Sequence, residues 1–225
     1  MIKIAPSLLS ADFSKLEWEI NRIKDHADLI HFDIMDGHFV PNITMGPMIV
    51  KSVRKSTKLP FDVHLMITEP DRYLKEFANA GADILTVHAE TCPTLYRTLH
   101  SIKSLGKKAG LAINPATPLS HAENVLDLID LLLVMTVDPG FGSQPFIEEM
   151  LPKIRKAKQL LDTAKHPIEL EVDGGIHPNT APLVREAGAT ILVAGSAVFS
   201  TDDPPEVAIQ KLRGTHHRSS TLPKS

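Results

Sequence analysis

The 225-residue sequence predicts an α/β protein built as a single (β/α)8 barrel, also called a TIM barrel. Two observations lead to this prediction. Short apolar runs alternate with longer helical stretches along the chain, and there are eight such runs. Strands that alternate with helices pair in parallel through right-handed crossovers. Eight units favour a closed barrel, because an open doubly wound sheet more often has five or six strands.

The predicted strands are short and mostly apolar. They span Ile2–Leu8, Leu29–Met35, Phe61–Met66, Ile84–His88, Ala109–Asn114, Leu131–Val137, Ile168–Asp173 and Thr190–Ala194. Helices are predicted between them, and several open on a proline, which suits a first helical turn. They span Ser14–His26, Pro47–Ser56, Pro70–Ala80, Pro93–Leu105, Pro118–Leu128, Glu148–Ala164 and Pro178–Ala187.

The domain organisation follows from the absence of a linker or a composition break in the sequence. We expect residues 1–212 to form one catalytic barrel domain. Residues 213–225 are polar and unpatterned, so we expect a mobile C-terminal tail. We interpret His216 and His217 in that segment as solvated side chains rather than metal ligands.

Composition excludes several kinds of partner. The net charge is −3 and the isoelectric point is near 6.4, with Lys and Arg scattered along the chain, so neither nucleic acid nor an anionic membrane is an expected partner. The N-terminal segment fits neither a signal peptide nor a membrane span, and we therefore expect a cytoplasmic protein. The one cysteine, Cys92, excludes an internal disulfide framework and a cysteine-based zinc site within one chain.

Histidines and aspartates interrupt the apolar strands where a barrel core would end. Barrel enzymes build their sites at these C-terminal strand ends, and an unpaired charge there costs several kcal/mol unless it is paired or metal-bound. Two imidazoles and two carboxylates suit one divalent ion such as Zn, Fe, Mn or Co. The sequence therefore predicts a metal site with the ligands His31, Asp33, His64 and Asp173.

Other polar and sulfur-containing side chains near these ends have less direct interpretations. We expect His88 to be a buried, hydrogen-bonded side chain, and Asp62 to orient a neighbouring histidine. Three methionines fall at positions that face the barrel mouth, where they would form a deformable apolar wall around a substrate that also contacts His64; core filling is the alternative. These are Met35, Met66 and Met135.

Glycine-rich turns follow the sixth, seventh and eighth strands. Glycine lets backbone N–H groups approach an anion closely, and barrel enzymes often hold phosphate in the loops after strands seven and eight. Because these turns contain no Lys or Arg, the anion would be held by backbone amides and a short helix. The predicted phosphate-binding residues are Gly140, Gly142, Ser143, Gly174, Gly175, Gly195 and Ser196.

Six blocks of sequence, spread over nearly the whole chain, carry a family resemblance. They are residues 4–12 (IAPSLLSAD), 31–42 (HFDIMDGHFVPN), 62–66 (DVHLM), 114–118 (NPATP), 138–142 (DPGFG) and 171–175 (EVDGG). Together they resemble the signature of the ribulose-phosphate 3-epimerase family. The resemblance implies a (β/α)8 barrel that interconverts D-ribulose 5-phosphate and D-xylulose 5-phosphate in the pentose phosphate pathway, and that forms homo-oligomers.

The resemblance also implies roles for individual residues. The metal would be held by the four residues predicted above, Ser7 would touch the substrate, and Asp33 and Asp173 would be the acid and the base. Elementary chemistry agrees, because inverting a carbon requires proton removal from one face and delivery to the other, which one carboxylate cannot easily do. The intermediate would be a 2,3-enediolate, whose negative oxygens need a cation close by.

Two departures from the family pattern leave an alternative substrate open. Asp138 stands where the family usually has Asn, and Ser143 stands where it usually has Gly. Asp138 and the sequence His88-Ala89-Glu90-Thr91 also resemble sister enzymes that epimerise allulose 6-phosphate. From other classes, a metal-assisted hydrolase would release a cleavage product, and a non-catalytic sugar-phosphate-binding barrel would show no proton exchange at C3.

Overall fold

The computed structural model describes residues 1–214 and contains a closed parallel barrel. The strands are β1 Lys3–Pro6, β2 Ile30–Met35, β3 Phe61–Met66, β4 Ile84–His88, β5 Lys108–Ile113, β6 Leu131–Met135, β7 Glu169–Asp173 and β8 Ile191–Ala194. Their order in the sheet is β1-β8-β7-β6-β5-β4-β3-β2. A parallel bridge between Ser7 and His31 joins β1 to β2. The predicted fold class is therefore confirmed.

Helices lie on the outside of this barrel. They are α1 Leu16–Ile23, α2 Pro47–Val53, α3 Leu74–Ala80, α4 Leu95–Ser104, α5 Ser120–Glu123, α6 Leu151–Leu161, α7 Ala181–Glu186, α8 Ser196–Phe199 and α9 Pro205–Arg213. Short 3-10 turns precede several of them, for example Pro70–Arg72 before α3. Within residues 1–214, no helix has the length and apolar character needed to cross a membrane.

The predicted strands agree with the structure to within two residues at each end, whereas the helices differ more. The predicted helix Pro118–Leu128 is reduced to α5, because the chain after α5 forms single turns with backbone bonds such as that from the Val125 N–H to the Ala122 carbonyl (3.0 Å). The helices α8 and α9 were not predicted. The first has four residues, and the second starts within the pair Pro204-Pro205.

The last helix extends to the predicted domain boundary and one residue beyond it. Arg213 lies in the last turn of α9, and its guanidinium donates to the His26 carbonyl (2.9 Å) and to the Asp28 carboxylate (2.5 Å). Gly214 ends the helix with φ +82°. The rest of the predicted tail, with His216 and His217, lies outside the described residues.

Side chains alternate between the two faces of each strand, and this alternation positions the site. In β2, Phe32 faces the helices and packs on Phe61 of β3 with ring centroids 4.7 Å apart. His31 and Asp33 face the barrel interior instead. Toward the N-terminal ends of the strands, branched residues such as Ile84, Leu131 and Ile191 fill the interior. The polar residues therefore sit on an apolar floor.

At the opposite end of the barrel, the strands are joined in pairs by a repeated hydrogen bond. The side chain just before each even-numbered strand accepts the N–H of a residue in the preceding odd-numbered strand, at 2.8 to 2.9 Å. The acceptor and donor pairs are Asp28 and Ile4, Asp83 and Phe61, Asp130 and Ala109, and Thr190 and Leu170. These four bonds add to the backbone pairing that joins all eight strands.

Candidate active site and metal centre

A cavity of about 400 Å³ opens at the C-terminal ends of the strands. Nearly all the residues predicted from the sequence to form the site line it: Ser7, Asp33, Met35, Met66, Met135, Gly140, Gly142, Ser143, Asp173, Gly174, Gly175, Gly195 and Ser196. His31 and His64 lie beneath the cavity and are fully buried. The fold therefore brings the predicted residues of six strands and their loops into one place.

Four of these side chains point ligand atoms at a common centre. Asp33 Oδ1 lies 3.4 Å from His31 Nε2 and 3.3 Å from His64 Nδ1. Asp173 Oδ2 lies 3.9 Å from His31 Nε2 and 3.8 Å from His64 Nδ1. One ligand atom from each of the four residues lies within 4.8 Å of the others. Ligands about 2.1 Å from a tetrahedral ion are roughly 3.4 Å apart, so these distances fit one divalent metal ion.

The hydrogen bonds of His31 also fit a metal. Its Nδ1 lies 2.7 Å from the Asp62 carboxylate, to which it donates, and this leaves Nε2 without a hydrogen-bond partner although it is buried. A buried polar atom without a partner is costly. A metal at the common centre satisfies this nitrogen. Asp62 thus orients the neighbouring histidine, as the sequence analysis expected.

His64 presents its other ring nitrogen to the same centre. Its Nδ1 faces Asp33, while its Nε2 lies 2.8 Å from Nε2 of His88. His88 is fully buried and hydrogen-bonded at both ring nitrogens, because its Nδ1 lies 3.2 Å from the Glu90 carboxylate. His88 is therefore the buried, hydrogen-bonded side chain that the sequence analysis expected.

The two aspartates differ in proton affinity although they share one centre. Burial opposes ionisation of Asp33, but the charges and hydrogen bonds of His31 and His64 outweigh it and hold the pKa of Asp33 far below its usual range. Burial, followed by repulsion from the Asp33 charge, raises the pKa of Asp173 to about 7. Pairs of carboxyl groups whose pKa values are driven apart are typical of acid and base partners.

The negative charge at the centre favours a cation. Burial lowers the pKa of the His31 imidazole, but the Asp33 and Asp62 carboxylates reverse this and raise that pKa well above its ordinary value. The two carboxylates thus favour positive charge at a fully buried place. A site that attracts a proton so strongly attracts a divalent ion by the same field.

Ser7 extends the polar edge of the centre into the cavity. Its hydroxyl donates to Asp33 Oδ2 at 2.6 Å and accepts the Leu9 N–H at 3.2 Å. The three methionines form an apolar wall at the other side of Asp33 and Asp173, and each is at most 4% exposed. The cavity thus combines a polar centre with an apolar wall.

The glycine turns approach neighbouring backbone closely. Gly175 has φ +65°, and a Cβ added there would lie 2.5 Å from the Phe146 backbone nitrogen. At Gly195, an added Cβ would lie 2.4 Å from the Ser10 hydroxyl oxygen. Ser143 adopts φ +58° without being glycine. None of the cavity-lining residues in the described part of the chain is Lys or Arg, so uncharged groups, namely backbone amides and side chains such as the Ser143 and Ser196 hydroxyls, are the candidate anion donors.

The sequence analysis assigned no role to Glu171, which lies directly below the centre. It is fully buried, and neither carboxyl oxygen has a hydrogen-bond donor within residues 1–214. Burial and the nearby Asp62 charge raise its pKa well above the ordinary value, so it holds its proton. The sequence did contain a signal for Glu171, because its two-residue spacing from Asp173 places both side chains on the same face of β7.

The sequence analysis also missed Ser10, Gln144 and His177, which line the cavity from the segments that follow the strands.

A closed barrel with a ligand set for a divalent metal at its mouth places the protein in the class of (β/α)8-barrel enzymes. More narrowly, the chain belongs to the ribulose-phosphate 3-epimerase family, since a sequence model described as "Ribulose-phosphate 3 epimerase family" matches residues 3–199. The expected family resemblance is confirmed.

Full-length relatives support this membership. A ribulose-phosphate 3-epimerase of Bacillus subtilis is 58% identical over 96% of this chain and 100% of its own length. The enzyme of the same name from Escherichia coli is 48% identical over 91% of this chain and 92% of its own length. A chloroplastic ribulose-5-phosphate-3-epimerase from Arabidopsis thaliana is 50% identical over 91% of this chain and 74% of its own length.

Solved structures of lower identity share the fold. A 3-keto-L-gulonate-6-phosphate decarboxylase from Vibrio cholerae has a TM-score of 0.70 at 16% identity and covers 95% of this chain and 96% of its own. A 3-hexulose-6-phosphate synthase from Salmonella typhimurium has a TM-score of 0.66 at 16% identity and covers 95% and 97%. At these identities the comparison supports the barrel architecture alone.

The close approach at Gly175 gives a testable prediction. Gly175→Ala places a Cβ in the left-handed region and against the Phe146 backbone, so the free energy of unfolding should fall by more than about 1 kcal/mol. Urea denaturation measures this. Gly46→Ala is the matched control, because Gly46 has φ −136° and no heavy atom within 4 Å of an added Cβ; its cost should stay below about 1 kcal/mol. Equal losses would contradict the steric argument.

Proposed function

We propose that this protein is a carbohydrate epimerase, an isomerase that interconverts D-ribulose 5-phosphate and D-xylulose 5-phosphate in the pentose phosphate pathway. The observation that carries the proposal is the pair of carboxyl groups, Asp33 and Asp173, facing one cavity in a chain of the ribulose-phosphate 3-epimerase family. They come from β2 and β7, which are separated in the sheet by β1 and β8. The pair supplies an acid and a base from different sides of the barrel mouth.

Asp33 and Asp173 move the proton at C3 of the sugar. In one direction the ionised aspartate removes the proton from one face, which leaves a 2,3-enediolate on the substrate. The second aspartate, protonated at that stage, delivers its proton to the opposite face of the same carbon. The configuration is inverted, and the two residues exchange roles in the reverse direction. The lowered pKa of Asp33 and the raised pKa of Asp173 support the assignment of one residue as the base and the other as the acid.

One divalent metal ion, Zn, Fe, Mn or Co, would be held by His31, Asp33, His64 and Asp173. When bound, it supplies positive charge that stabilises the negative oxygens of the enediolate. The spacing of the four ligand atoms and the unpartnered Nε2 of His31 support the site. The ligand set itself suits a transition metal better than calcium, which prefers oxygen ligands.

The remaining cavity residues would orient the substrate. Ser7, already bonded to Asp33, reaches the cavity as a hydroxyl donor or acceptor for the sugar. His64 lies below the sugar, and Met35, Met66 and Met135 form the apolar wall. The phosphate would lie among the glycine turns after β6, β7 and β8, which line the cavity. It would be held by Gly140, Gly142, Ser143, Gly174, Gly175, Gly195 and Ser196.

A five-carbon substrate is favoured over allulose 6-phosphate. The relatives described above carry names that refer to ribulose phosphate, at 48–58% identity over most of this chain. Family membership likewise favours epimerisation over metal-assisted hydrolysis or binding without catalysis. The Asp138 and Ser143 departures lie in the loop after β6, at the rim of the cavity, and not among the four metal-facing residues.

The cellular setting is proposed as cytoplasmic, and the assembly as a homo-oligomer. Large apolar side chains are exposed on the outside of the barrel, among them Met48 of α2 at 82% and Ile43 in the preceding loop at 77%. Exposed apolar side chains of this size support association through an outer surface.

Substitution of either aspartate tests the acid–base pair. Asp33→Asn and Asp173→Asn should each lower turnover of ribulose 5-phosphate by about 10²–10⁴-fold, because an amide cannot accept or return the C3 proton. Proton NMR in heavy water measures turnover and deuterium entry at C3 together. The control is Asp127→Asn, an exposed surface aspartate whose removal should leave both rates unchanged. Near-normal activity in either active-site variant removes that residue from the pair.

Metal removal tests the centre. Dialysis against a chelator should abolish turnover, and addition of Zn²⁺, Fe²⁺, Mn²⁺ or Co²⁺ should restore it. One ion per chain should bind, measured by elemental analysis of the reloaded protein. His31→Ala should lower the bound metal because it removes the nitrogen that has no other partner. Full activity in a rigorously metal-free sample would defeat the metal proposal.

A comparison of two substrates tests the length of the sugar. We expect kcat/KM for ribulose 5-phosphate to exceed that for allulose 6-phosphate, since the family relatives are named for the five-carbon sugar. The variant Ser143→Gly carries the residue that the family usually has at this position. Comparing its two kcat/KM values with those of the wild type shows whether Ser143 affects the choice of substrate. A higher kcat/KM for the six-carbon sugar would overturn the substrate assignment while leaving the epimerase mechanism in place.

A further inference from the structure

A row of three side chains runs from the metal centre toward the outside of the barrel. His64 Nε2 lies 2.8 Å from His88 Nε2, and His88 Nδ1 lies 3.2 Å from Glu90 Oε2. The planes of the two rings differ by 25°, and their centroids are 5.0 Å apart. Rings this far apart with nitrogens this close lie edge to edge in nearly one plane. That is the geometry of an in-line N–H···N hydrogen bond.

With both rings neutral and His64 Nδ1 left for a metal, one arrangement of protons suits this row. A neutral imidazole carries one N–H, so each ring donates from one nitrogen and accepts at the other. The Glu90 carboxylate accepts, and His88 therefore places its proton on Nδ1 and its lone pair on Nε2. That lone pair accepts from His64, which must carry its proton on Nε2. His64 Nδ1, which takes no part in the bond to His88, is the nitrogen that faces Asp33 and Asp173, and a metal there would replace any proton that it shares with Asp33.

The outer end of the row is fixed by the loop after β5. Glu90 Oε1 accepts the Asn114 backbone N–H at 2.8 Å and also the Thr117 hydroxyl. The Lys153 ammonium of α6 donates to the carbonyls of Asn114 (2.7 Å) and Pro115 (3.2 Å), and to that of Thr117. The loop is thereby held against the barrel. A backbone N–H only donates, so the atom facing Asn114 has to be an acceptor.

We propose that Glu90, acting through His88, is a positioning residue that fixes the His64 tautomer with its proton on Nε2 and so keeps Nδ1 free for the metal. The inference rests on the proposed function, because it concerns a ligand of the proposed metal. His31 achieves the same end directly, since its Nδ1 donates to Asp62 and its Nε2 faces the centre. The two metal-facing histidines therefore use opposite ring nitrogens, and each is oriented by its own carboxylate.

The variant Glu90→Gln reverses the row by replacing one carboxylate oxygen with an NH₂ group of similar size. The glutamine oxygen must face the Asn114 N–H, so its NH₂ group faces His88 Nδ1 and requires a lone pair there. His88 then carries its proton on Nε2 and donates to His64. The His64 proton moves to Nδ1, the nitrogen that should bind the metal. The variant keeps the positions of the groups in the network and exchanges the donor and acceptor in each hydrogen bond of the row.

The affinity of the full chain for Zn²⁺, measured by competition with a chromophoric chelator, tests this inversion. Glu90→Gln should bind Zn²⁺ about 10–100-fold more weakly than the wild type. Thr117→Val is the control within the network. It removes one bond to Glu90 Oε1 but leaves the Asn114 N–H in place, so the affinity should stay near that of the wild type. Glu123→Gln, an exposed glutamate of α5, controls for the change of charge.

Ring nitrogen chemical shifts give a readout that does not depend on activity or on metal. In the metal-free wild type at neutral pH, ¹⁵N NMR should show His64 protonated on Nε2 and His88 on Nδ1. In metal-free Glu90→Gln both protons should move to the other nitrogen. This measurement on the wild type stands even if the variant does not fold.

Each outcome decides a separate statement. The opposite tautomers in the wild type, or wild-type Zn²⁺ affinity in Glu90→Gln, would overturn the role of Glu90. Weaker Zn²⁺ binding in Glu90→Gln with an unchanged His64 tautomer would do so as well, because the loss would then have another cause. A wild type that binds no divalent ion but shows the expected tautomers contradicts the metal part of the proposed function and leaves the tautomer assignment standing.

Discussion

Carboxyl groups and imidazoles are packed together inside this barrel, and each depends on the others for its charge state. His31 lies between the Asp33 and Asp62 carboxylates, and Asp33 in turn lies between His31 and His64. Each of these side chains is at most 5% exposed. A buried charge that loses its partner costs several kcal/mol, so the cluster tolerates little rearrangement. The barrel around it has to hold these groups at fixed distances.

Strand register provides that constraint. In the pairing of β2 with β3, His31 is opposite Asp62 and Asp33 is opposite His64, and in the pairing of β6 with β7, Met135 is opposite Asp173. A slip of one residue would move every polar side chain of a strand from the interior to the helix-facing side. The outward residues such as Phe32 oppose such a slip, since they would lose their contact with the helices. Apolar packing outside and ion pairing inside thus support the same register.

The sequence predicted the parts of this molecule that depend on local pattern. β3 and β4 were placed correctly to the residue, because their outward-facing positions are all apolar and polar or turn residues flank both strands. The predicted site residues line one cavity for the same reason, since parallel strands bring their C-terminal ends to one edge. α5 and α9 depend on local turn geometry and on docking, which periodicity does not record. The role of Glu90 was beyond reach, because its partners come from a distant strand end and loop, whereas Glu171 could have been found from its two-residue spacing to Asp173.

The side-chain hydrogen bonds at the N-terminal ends of the strands show which parts of the sheet must be together for the site to be complete. The Asp28, Asp83, Asp130 and Thr190 side chains each accept one hydrogen bond within a two-strand unit, in addition to the backbone pairing that joins all eight strands. The metal-facing residues come from three of these units: β1–β2 supplies His31 and Asp33, β3–β4 supplies His64, and β7–β8 supplies Asp173. No single unit holds a complete ligand set. A complete ligand set therefore needs three of these units together, so a bound metal would report on the assembled barrel rather than on any one part of it.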